Sequence, residues 1–419
     1  MVRVSHSVSL ADYRQALSTR GAGAPVLTSI LARLPVAMIG LSLLLYVQRA
    51  TGSFGVAGLV SAGNLVGVAC GSVVQGRIMD RLGPTRPLLV VSTLFAGFVV
   101  AEIGMIEADG PGVAMVLLAV AVGTSEPMTG PASRALWTLL LPAGRVRDAA
   151  YSYEAISMEV FFILGPGIAG LLVTTPWPGT ALVVGASCMI LGSVGFAVTP
   201  AARRQRPVDD PPSGSLLGAL ATSGMRTLAL AAFGFGLLLG MVEVAVPAAA
   251  ERAGHAAVGG LLLSALSVSS VVFGVLYGTR PWPRPMYLRL PTLLTVFAVL
   301  VALLALPGTL AGLTVALLVA GSLVTPQSTA HSVALEAVAP EGTATEAFAW
   351  VITAVTLGAA AGQSLSGQLV EWRTSATAFL VAGGLGLVLG GLLWLRRRTL
   401  LPTPRNPEDR WATVGTTTG

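Results

Sequence analysis

Residues 76–86 read GRIMDRLGPTR, and this polar stretch separates two long apolar runs of the chain. It holds two glycines, Gly76 and Gly83, one acid, Asp80, and three arginines. Glycine permits tight turns, so we predict a loop here. A carboxylate in such a loop accepts hydrogen bonds from a helix N-terminus or an arginine, in a contact that one conformation makes and another breaks.

The apolar runs on either side of this stretch are each about 20 residues long, the length that crosses a membrane as a helix. The chain is 54% hydrophobic and 11% charged, whereas soluble domains are about 25% charged. We therefore predict an all-α membrane protein with twelve transmembrane helices. The predicted spans are 26–48, 55–75, 87–106, 112–133, 149–173, 179–199, 227–247, 257–278, 288–306, 309–331, 346–369 and 375–395.

The arginines orient these spans. With the N-terminus inside, Arg33 lies within the first span, and only Arg49, Arg252 and Arg373 of the 25 arginines fall outside. Positive residues accumulate on the cytoplasmic side. We predict a multi-pass protein of the plasma (cytoplasmic) membrane with both termini cytoplasmic.

A charged, proline-rich break, AARRQRPVDDPPSGS, begins at Ala201 and divides the spans six and six. Residues 58–76 can be laid over residues 260–278, a shift of about 200 positions, as expected for a duplicated bundle. We predict two six-helix bundles related by a pseudo-twofold axis. The predicted divisions are an N-terminal bundle at 1–200, a central cytoplasmic loop at 201–225, a C-terminal bundle at 226–395 and a cytoplasmic tail at 396–419.

Several classes of function are disfavoured by what the chain lacks. All 25 basic residues are arginines, so there is no lysine for a nucleotide-binding P-loop or a Schiff base. Two cysteines in apolar runs and three scattered histidines show no metal-ligand spacing. We predict no enzyme activity, no catalytic residue, no cofactor, no metal and no nucleic-acid partner.

The stretch at 76–86 resembles the signature loop of the major facilitator superfamily, Gly-x-x-x-Asp-Arg/Lys-x-Gly-Arg/Lys-Arg/Lys. The matching residues are Gly76, Asp80, Arg81 and Gly83, with Arg86 as the trailing basic residue. The resemblance implies that the loop latches the two halves on the cytoplasmic side, with Asp80 as its acid. The alternative is a basic loop that only sets topology.

A second resemblance lies in the fifth span, where LGPGIAG begins at Leu164. It is similar to the family's antiporter motif, Gly-Pro-x-x-Gly-Gly, and the matching residues are Gly165, Pro166 and Gly170. We predict a kinked helix that a neighbour approaches closely, because proline removes a hydrogen bond and small residues allow contact. The resemblance implies antiport, and plain helix packing is the alternative.

Ionisable groups inside spans cost roughly 2.5–3.5 kcal/mol, so each is a candidate site. In the facilitator fold the first, fourth, seventh and tenth helices line the cavity, and here they carry Arg33, Glu126, Glu243 and His331; the polar Gln327 is a further cavity candidate. Glu126 precedes a proline and is the leading proton carrier; its alternative is a structural partner of Arg33 or Arg134. Glu159 of the fifth span is either a proton site or part of a buried ion pair.

The other ionisable groups have simpler interpretations. Glu102 and Glu243 lie in the outer third of their spans, from which they could reach the water interface. Arg33 could extend inward to water, and His331 is expected to be solvated. Glu154 is expected to start its helix at the cytoplasmic face.

Together these features predict a monomeric secondary transporter that exports a small amphipathic molecule in exchange for protons, in a lipid bilayer and by alternating access. Few polar side chains lie on the presumed cavity helices, which favours an amphipathic substrate. One alternative is a proton-coupled nutrient uptake symporter. Another class, a non-transporting membrane sensor or membrane enzyme, would need an output domain or converging catalytic groups.

Overall fold

The computed structural model describes residues 9–142, 144–205, 219–279, 286–339 and 344–401, and within these ranges all regular structure is helical. Two short 3-10 helices, Ala219–Ala221 and Arg397–Leu400, accompany the α-helices. The α-helices are α1 Leu10–Leu17, α2 Gly23–Arg33, α3 Val36–Thr51, α4 Phe54–Leu82, α5 Thr85–Glu107, α6 Gly112–Ser125, α7 Thr129–Leu140, α8 Arg145–Leu172, α9 Thr180–Val198, α10 Pro200–Arg203, α11 Ser223–Arg252, α12 Val258–Thr279, α13 Met286–Leu303, α14 Leu310–Gly321, α15 Val324–Val338, α16 Ala344–Trp372 and α17 Ser375–Arg396.

These helices form twelve apolar segments in the order that the sequence predicts. Within the described residues, ten are long and apolar enough to cross a membrane, and two shorter apolar helices at Val258–Gly274 and Tyr287–Leu303 complete the series. The first, fourth and tenth segments each consist of two helices: α2 with α3, α6 with α7, and α14 with α15. The predicted all-α membrane fold is confirmed, although three of its spans are interrupted.

Each half of the molecule has its own apolar core. Phe95 and Met189 are fully buried in the first half, and Phe297 and Phe379 in the second. We refer to the membrane face where α2 and α11 begin as the termini face, and to the opposite one as the far face. Helices α4 and α8 of the first half pack against α16 and α12 of the second.

The contacts between the halves obey the predicted pseudo-twofold relation. A β-carbon on Gly58 of α4 would lie 2.6 Å from the carbonyl oxygen of Gln363 and 3.2 Å from Cα of Gly367. In the other crossing, a β-carbon on Gly260 of α12 would clash with the carbonyl oxygen of Pro166 and lie 2.9 Å from Cα of Gly170. Each glycine therefore contacts two positions four residues apart on the partner helix.

The prediction of a loop at residues 76–86 is wrong for most of these residues. Helix α4 continues through Gly76 to Leu82, and only Gly83 turns the chain, with φ +74°. The helix continues because Met79 still packs in a small core with Leu88 and Phe196.

Candidate functional site

The fourth membrane segment breaks at Glu126. Helix α6 ends at Ser125, Glu126 is extended with φ −60° and ψ 119°, and α7 begins at Thr129. Proline disfavours helical backbone in the residue before it, so Pro127 explains why the break falls at Glu126.

The side chain of Gln75 in α4 forms hydrogen bonds with backbone groups that have no helical partner at this break. Its Nε2 donates to the carbonyl oxygens of Thr124 at 3.0 Å and Glu126 at 2.9 Å, and its Oε1 accepts from the N–H of Met128 at 3.1 Å. In lipid, a broken helix needs such replacements. Gln75 was not predicted as a functional residue, although an amide within an apolar span was a usable signal.

The Glu126 side chain lies at this break without a counter-charge. The residue is 5% exposed, and among the described residues its carboxyl group has no hydrogen bond or ion pair. It does not pair with Arg33 or Arg134, which was the structural alternative. An unpaired buried carboxyl group is stabilised by binding a proton, and renewed contact with water allows it to ionise.

The tenth segment is also interrupted, by a turn at Ser322 and Leu323 between α14 and α15. Ser270 of α12 lies 2.7 Å from the Thr325 hydroxyl and accepts from the Thr325 N–H at 3.1 Å. Thr325 and Pro326 lie 199 positions after Glu126 and Pro127, but within the first turn of α15. Gln327 follows directly, is 0% exposed, and has no described partner for either amide atom.

Arg33 is held in a buried network with Glu154 of α8. Its Nη1 donates to Glu154 Oε2, and its Nη2 donates to the Glu154 carbonyl oxygen at 3.0 Å. Glu154 also accepts from Ser133 Oγ at 2.7 Å and from Trp137 Nε1 at 3.0 Å. The expectation that Glu154 starts its helix is wrong, because α8 begins at Arg145. Arg33 does not extend to water either, since it is 7% exposed.

The remaining candidate acids differ in environment. Glu243 accepts from Gln363 Nε2 at 2.7 Å. Glu102 is 0% exposed, with neither oxygen partnered among the described residues, so the expectation that it reaches water is wrong. His331, expected to be solvated, is buried beside Phe235, with ring centroids 5.7 Å apart. The side chain of Glu159 lies outside the described residues.

The signature residues lie where α4 ends. Gly83 is buried, and a β-carbon there would lie 3.1 Å from the Gln205 carbonyl oxygen. Arg81 and Arg86 are exposed. The side chain of Asp80 lies outside the described residues, so its predicted contact is not seen.

The residues of the antiporter-like motif lie on two different faces of α8. Gly165 packs on Ala37 of α3, since a β-carbon there would lie 2.8 Å from Ala37 Cβ. Pro166 and Gly170 meet Gly260 of the other half. The helix is continuous through Pro166. The motif therefore helps to join the halves near the far face.

Polar contacts also join the halves at the far face. Gln48 Nε2 at the end of α3 donates to Glu251 at 2.7 Å. Glu371 at the end of α16 accepts from the hydroxyl of Ser53 and from the N–H of Gly55 at 2.6 Å. A carboxylate stabilises the N-terminus of a helix, here α4. These contacts hold the far face closed.

The comparisons with known proteins agree with this architecture. The sequence profile described as Major Facilitator Superfamily matches residues 26–345. No curated protein sequence matched the chain. Among solved structures, the nucleoside transporter NupG superposes with a TM-score of 0.70 at 15% identity, covering 89% of this chain and 99% of that one.

Two further solved structures have the same fold. A peptide transporter POT in complex with sulfate gives a TM-score of 0.68 at 17% identity, covering 94% of this chain and 100% of that one. The human organic anion transporter MFSD10 (TETRAN) gives 0.58 at 16% identity, covering 91% and 99%. At these identities the likeness shows the fold alone.

Proposed function

Because this chain belongs to the major facilitator superfamily and is a secondary transporter of that type, we propose that it exports a small amphipathic molecule in exchange for protons. The observation that carries the proposal is the unpartnered, buried carboxyl group of Glu126 at a helix break. Breaks in membrane helices place polar groups at the midplane, where substrates and coupling ions bind.

We propose that the exchange of substrate for protons occurs by alternating access. In the state described here the halves meet at the far face, through Gly58 with Gly367, Gly260 with Gly170, and the contacts of Glu371. Opening the far face requires these contacts to separate. Glu126 then gains or loses its proton according to the face from which water reaches the fourth segment.

The membrane potential provides enough free energy for this exchange. One charge that crosses about 150 mV releases about 3.5 kcal/mol. That energy sustains a substrate gradient of roughly 300-fold, and no nucleotide hydrolysis is needed.

Orientation and latch residues belong to the same proposal. We place the protein in the plasma membrane as a monomer. We propose that its termini are cytoplasmic, because the arginines cluster on the termini face. Asp80, Arg81 and Arg86 would then latch the halves at the cytoplasm when the far face opens. Glu159, in α8, is a further proposed proton site.

Everted membrane vesicles test the proposal. Addition of an exported substrate should dissipate an acid-inside gradient, whereas a symporter substrate should not. Glu126→Gln should abolish coupled transport and leave folding intact, because its carboxyl group has no partner to lose. Asp109→Asn, at an exposed far-face turn, is the matched control. Full coupling in the Glu126 variant would remove this residue as the carrier.

A further inference from the structure

A basic cleft lies where the last membrane helix, α17, reaches the termini face. Its walls are formed by Trp394, Leu395, Arg397 and Arg398, and its volume is about 290 Å³. Sites for small molecules begin at about 300 Å³, so the cleft has room for a phosphate group and the atoms next to it. Leu395 is 83% exposed, and Arg398 is exposed as well. An apolar wall and two guanidinium groups therefore meet in one open cleft at the surface of the second half.

No acid of the described residues forms an ion pair in this cleft. Neither Arg397 nor Arg398 has a counter-ion or a side-chain hydrogen bond among them, and the two described ion pairs, those of Arg33 and Arg145, belong to the first half. Arg397 lies over the Trp394 ring, with Cζ 5.2 Å from the ring centroid. This cation–π contact positions the guanidinium and leaves its charge in place. The cleft is thus suited to an anion.

An apolar strip on the outward face of α17 leads from the bilayer to the cleft. Its exposed side chains are Leu380, Leu387, Val388, Leu392 and Leu395. Together with the exposed Gly384 and Gly391 they recur every three or four residues, which is the spacing of one helix face. A β-carbon on either glycine would meet no described atom beyond the backbone of its own helix within 4 Å. This face is thus uncovered within the described part of the chain, and lipid chains contact it in a membrane.

The cleft lies at the depth of lipid headgroups. Helix α17 has 22 residues, a length of about 33 Å at about 1.5 Å per residue, and the hydrocarbon core of a bilayer is about 30 Å thick. The last turn of α17 therefore reaches the membrane–water interface, where tryptophan side chains such as Trp394 are enriched. A molecule that fits both the apolar strip and the cleft has a hydrocarbon chain and an anionic head.

We propose that the cleft and the apolar strip bind one anionic phospholipid, with its phosphate between Arg397 and Arg398 and an acyl chain along α17. A guanidinium group can donate two parallel hydrogen bonds to phosphate oxygens. A zwitterionic lipid carries the same phosphate, but the two arginines repel its ammonium group. Phosphatidylglycerol should therefore bind more tightly than phosphatidylcholine. This site is independent of Glu126 and of the direction of transport.

Native mass spectrometry of the purified, delipidated protein tests the site with dioleoyl phosphatidylglycerol, dioleoyl phosphatidylcholine and inorganic phosphate. We expect the first phosphatidylglycerol to bind about tenfold more tightly than the first phosphatidylcholine, because each arginine attracts anionic lipid. Arg397→Gln combined with Arg398→Gln should remove this preference. The matched control is Arg203→Gln combined with Arg204→Gln, which removes two exposed arginines from the termini face of the first half and should leave the preference unchanged.

Two further measurements keep the test independent of folding defects. Arg397→Lys combined with Arg398→Lys retains both charges and should retain the preference, since lysine also binds phosphate. The difference in fluorescence between the wild type and Trp394→Phe isolates the emission of Trp394 among the seven tryptophans. Phosphatidylglycerol brominated on its acyl chains should quench this emission more strongly than brominated phosphatidylcholine.

Equal affinities of the two lipids for the wild type, an equal loss of preference in the Arg203 and Arg204 control, or displacement of the lipid by equimolar inorganic phosphate would overturn the site. A loss in the lysine variant as large as that in the glutamine variant would also overturn it. If the wild type showed no preference but Glu408→Gln combined with Asp409→Asn created one, these two acids would be the occupants of the cleft in place of a lipid.

Discussion

Arg33 of α2 forms a buried ion pair with Glu154 of α8, 121 positions later in the chain. The pair ties the first membrane segment to the fifth. Ser133 and Trp137 of α7 complete the hydrogen bonds of the carboxylate, so three segments meet at one acid. The ion pair is a structural centre of the first half, and it leaves Glu126 as an unpaired acid of the fourth segment.

Glu154→Gln should destabilise the protein by about 3 kcal/mol, because it leaves the Arg33 charge buried without a partner. Thermal unfolding in detergent measures the change. Arg145→Gln is the matched control, since it breaks the pair with Asp12 at the protein surface, and surface ion pairs contribute little to stability. Combining Arg33→Met with Glu154→Gln should restore much of the lost stability. If Glu154→Gln and the control had equal effects on unfolding, the Arg33–Glu154 pair would not stabilise the protein as a buried ion pair.

Gln75→Leu should cost about 3 kcal/mol or more, because two carbonyl oxygens and one N–H at the α6–α7 break lose their partner at about 1–3 kcal/mol each. Unfolding of the purified variant in detergent reports this loss. Gln205→Leu, which removes only a 3.1 Å bond to the Ala132 carbonyl oxygen, should cost clearly less. If the two losses were equal, the break would not depend on Gln75.

Gly260→Val should open the far face, because its side chain would be forced against Pro166 and Gly170. Spin labels at Asp109 and Gly308, in far-face turns of opposite halves, should move apart in electron–electron distance measurements on a variant lacking Cys70 and Cys188. Gly384→Val is the control, since nothing lies within 4 Å of a β-carbon there. An unchanged distance in the Gly260 variant would show that this crossing does not limit opening.

Acid should release helix α1 from α8. Hydrogen bonds from the N–H and hydroxyl of Ser9, and then the Arg145 guanidinium, hold the pKa of Asp12 below its usual value. A lowered folded-state pKa means that this stabilisation is complete above the usual pKa of about 3.9 and is lost as pH falls through the folded value.

Hydrogen exchange of residues 10–17, corrected for intrinsic rates, should therefore become faster relative to the rest of the protein between pH 5 and pH 2, as rough limits set by that pKa. Asp12→Asn should remove the pH dependence of this difference. A persistent pH dependence in that variant would assign it to another group.

The number, order and approximate ends of the membrane segments could be predicted from the sequence, because apolar length is a local property of the chain. The repeat that relates the halves could also be predicted, and Gly58 and Gly260, which occupy matching places in it, make matching contacts in the structure. The proline after Glu126 marked the break in the fourth segment, although the extended backbone and the support from Gln75 were not foreseen.

Partner choice among the buried groups was decided only by the tertiary structure. The sequence suggested Glu126 as a structural partner of Arg33, but Arg33 pairs with Glu154 because α2 and α8 bring those two side chains together. Residues 76–82 are helical for a similar reason, since Met79 gains a packing site from distant Phe196. The pattern of apolar residues can be read directly from the sequence. An ion pair depends on distances of a few ångströms that arise only when separate helices pack.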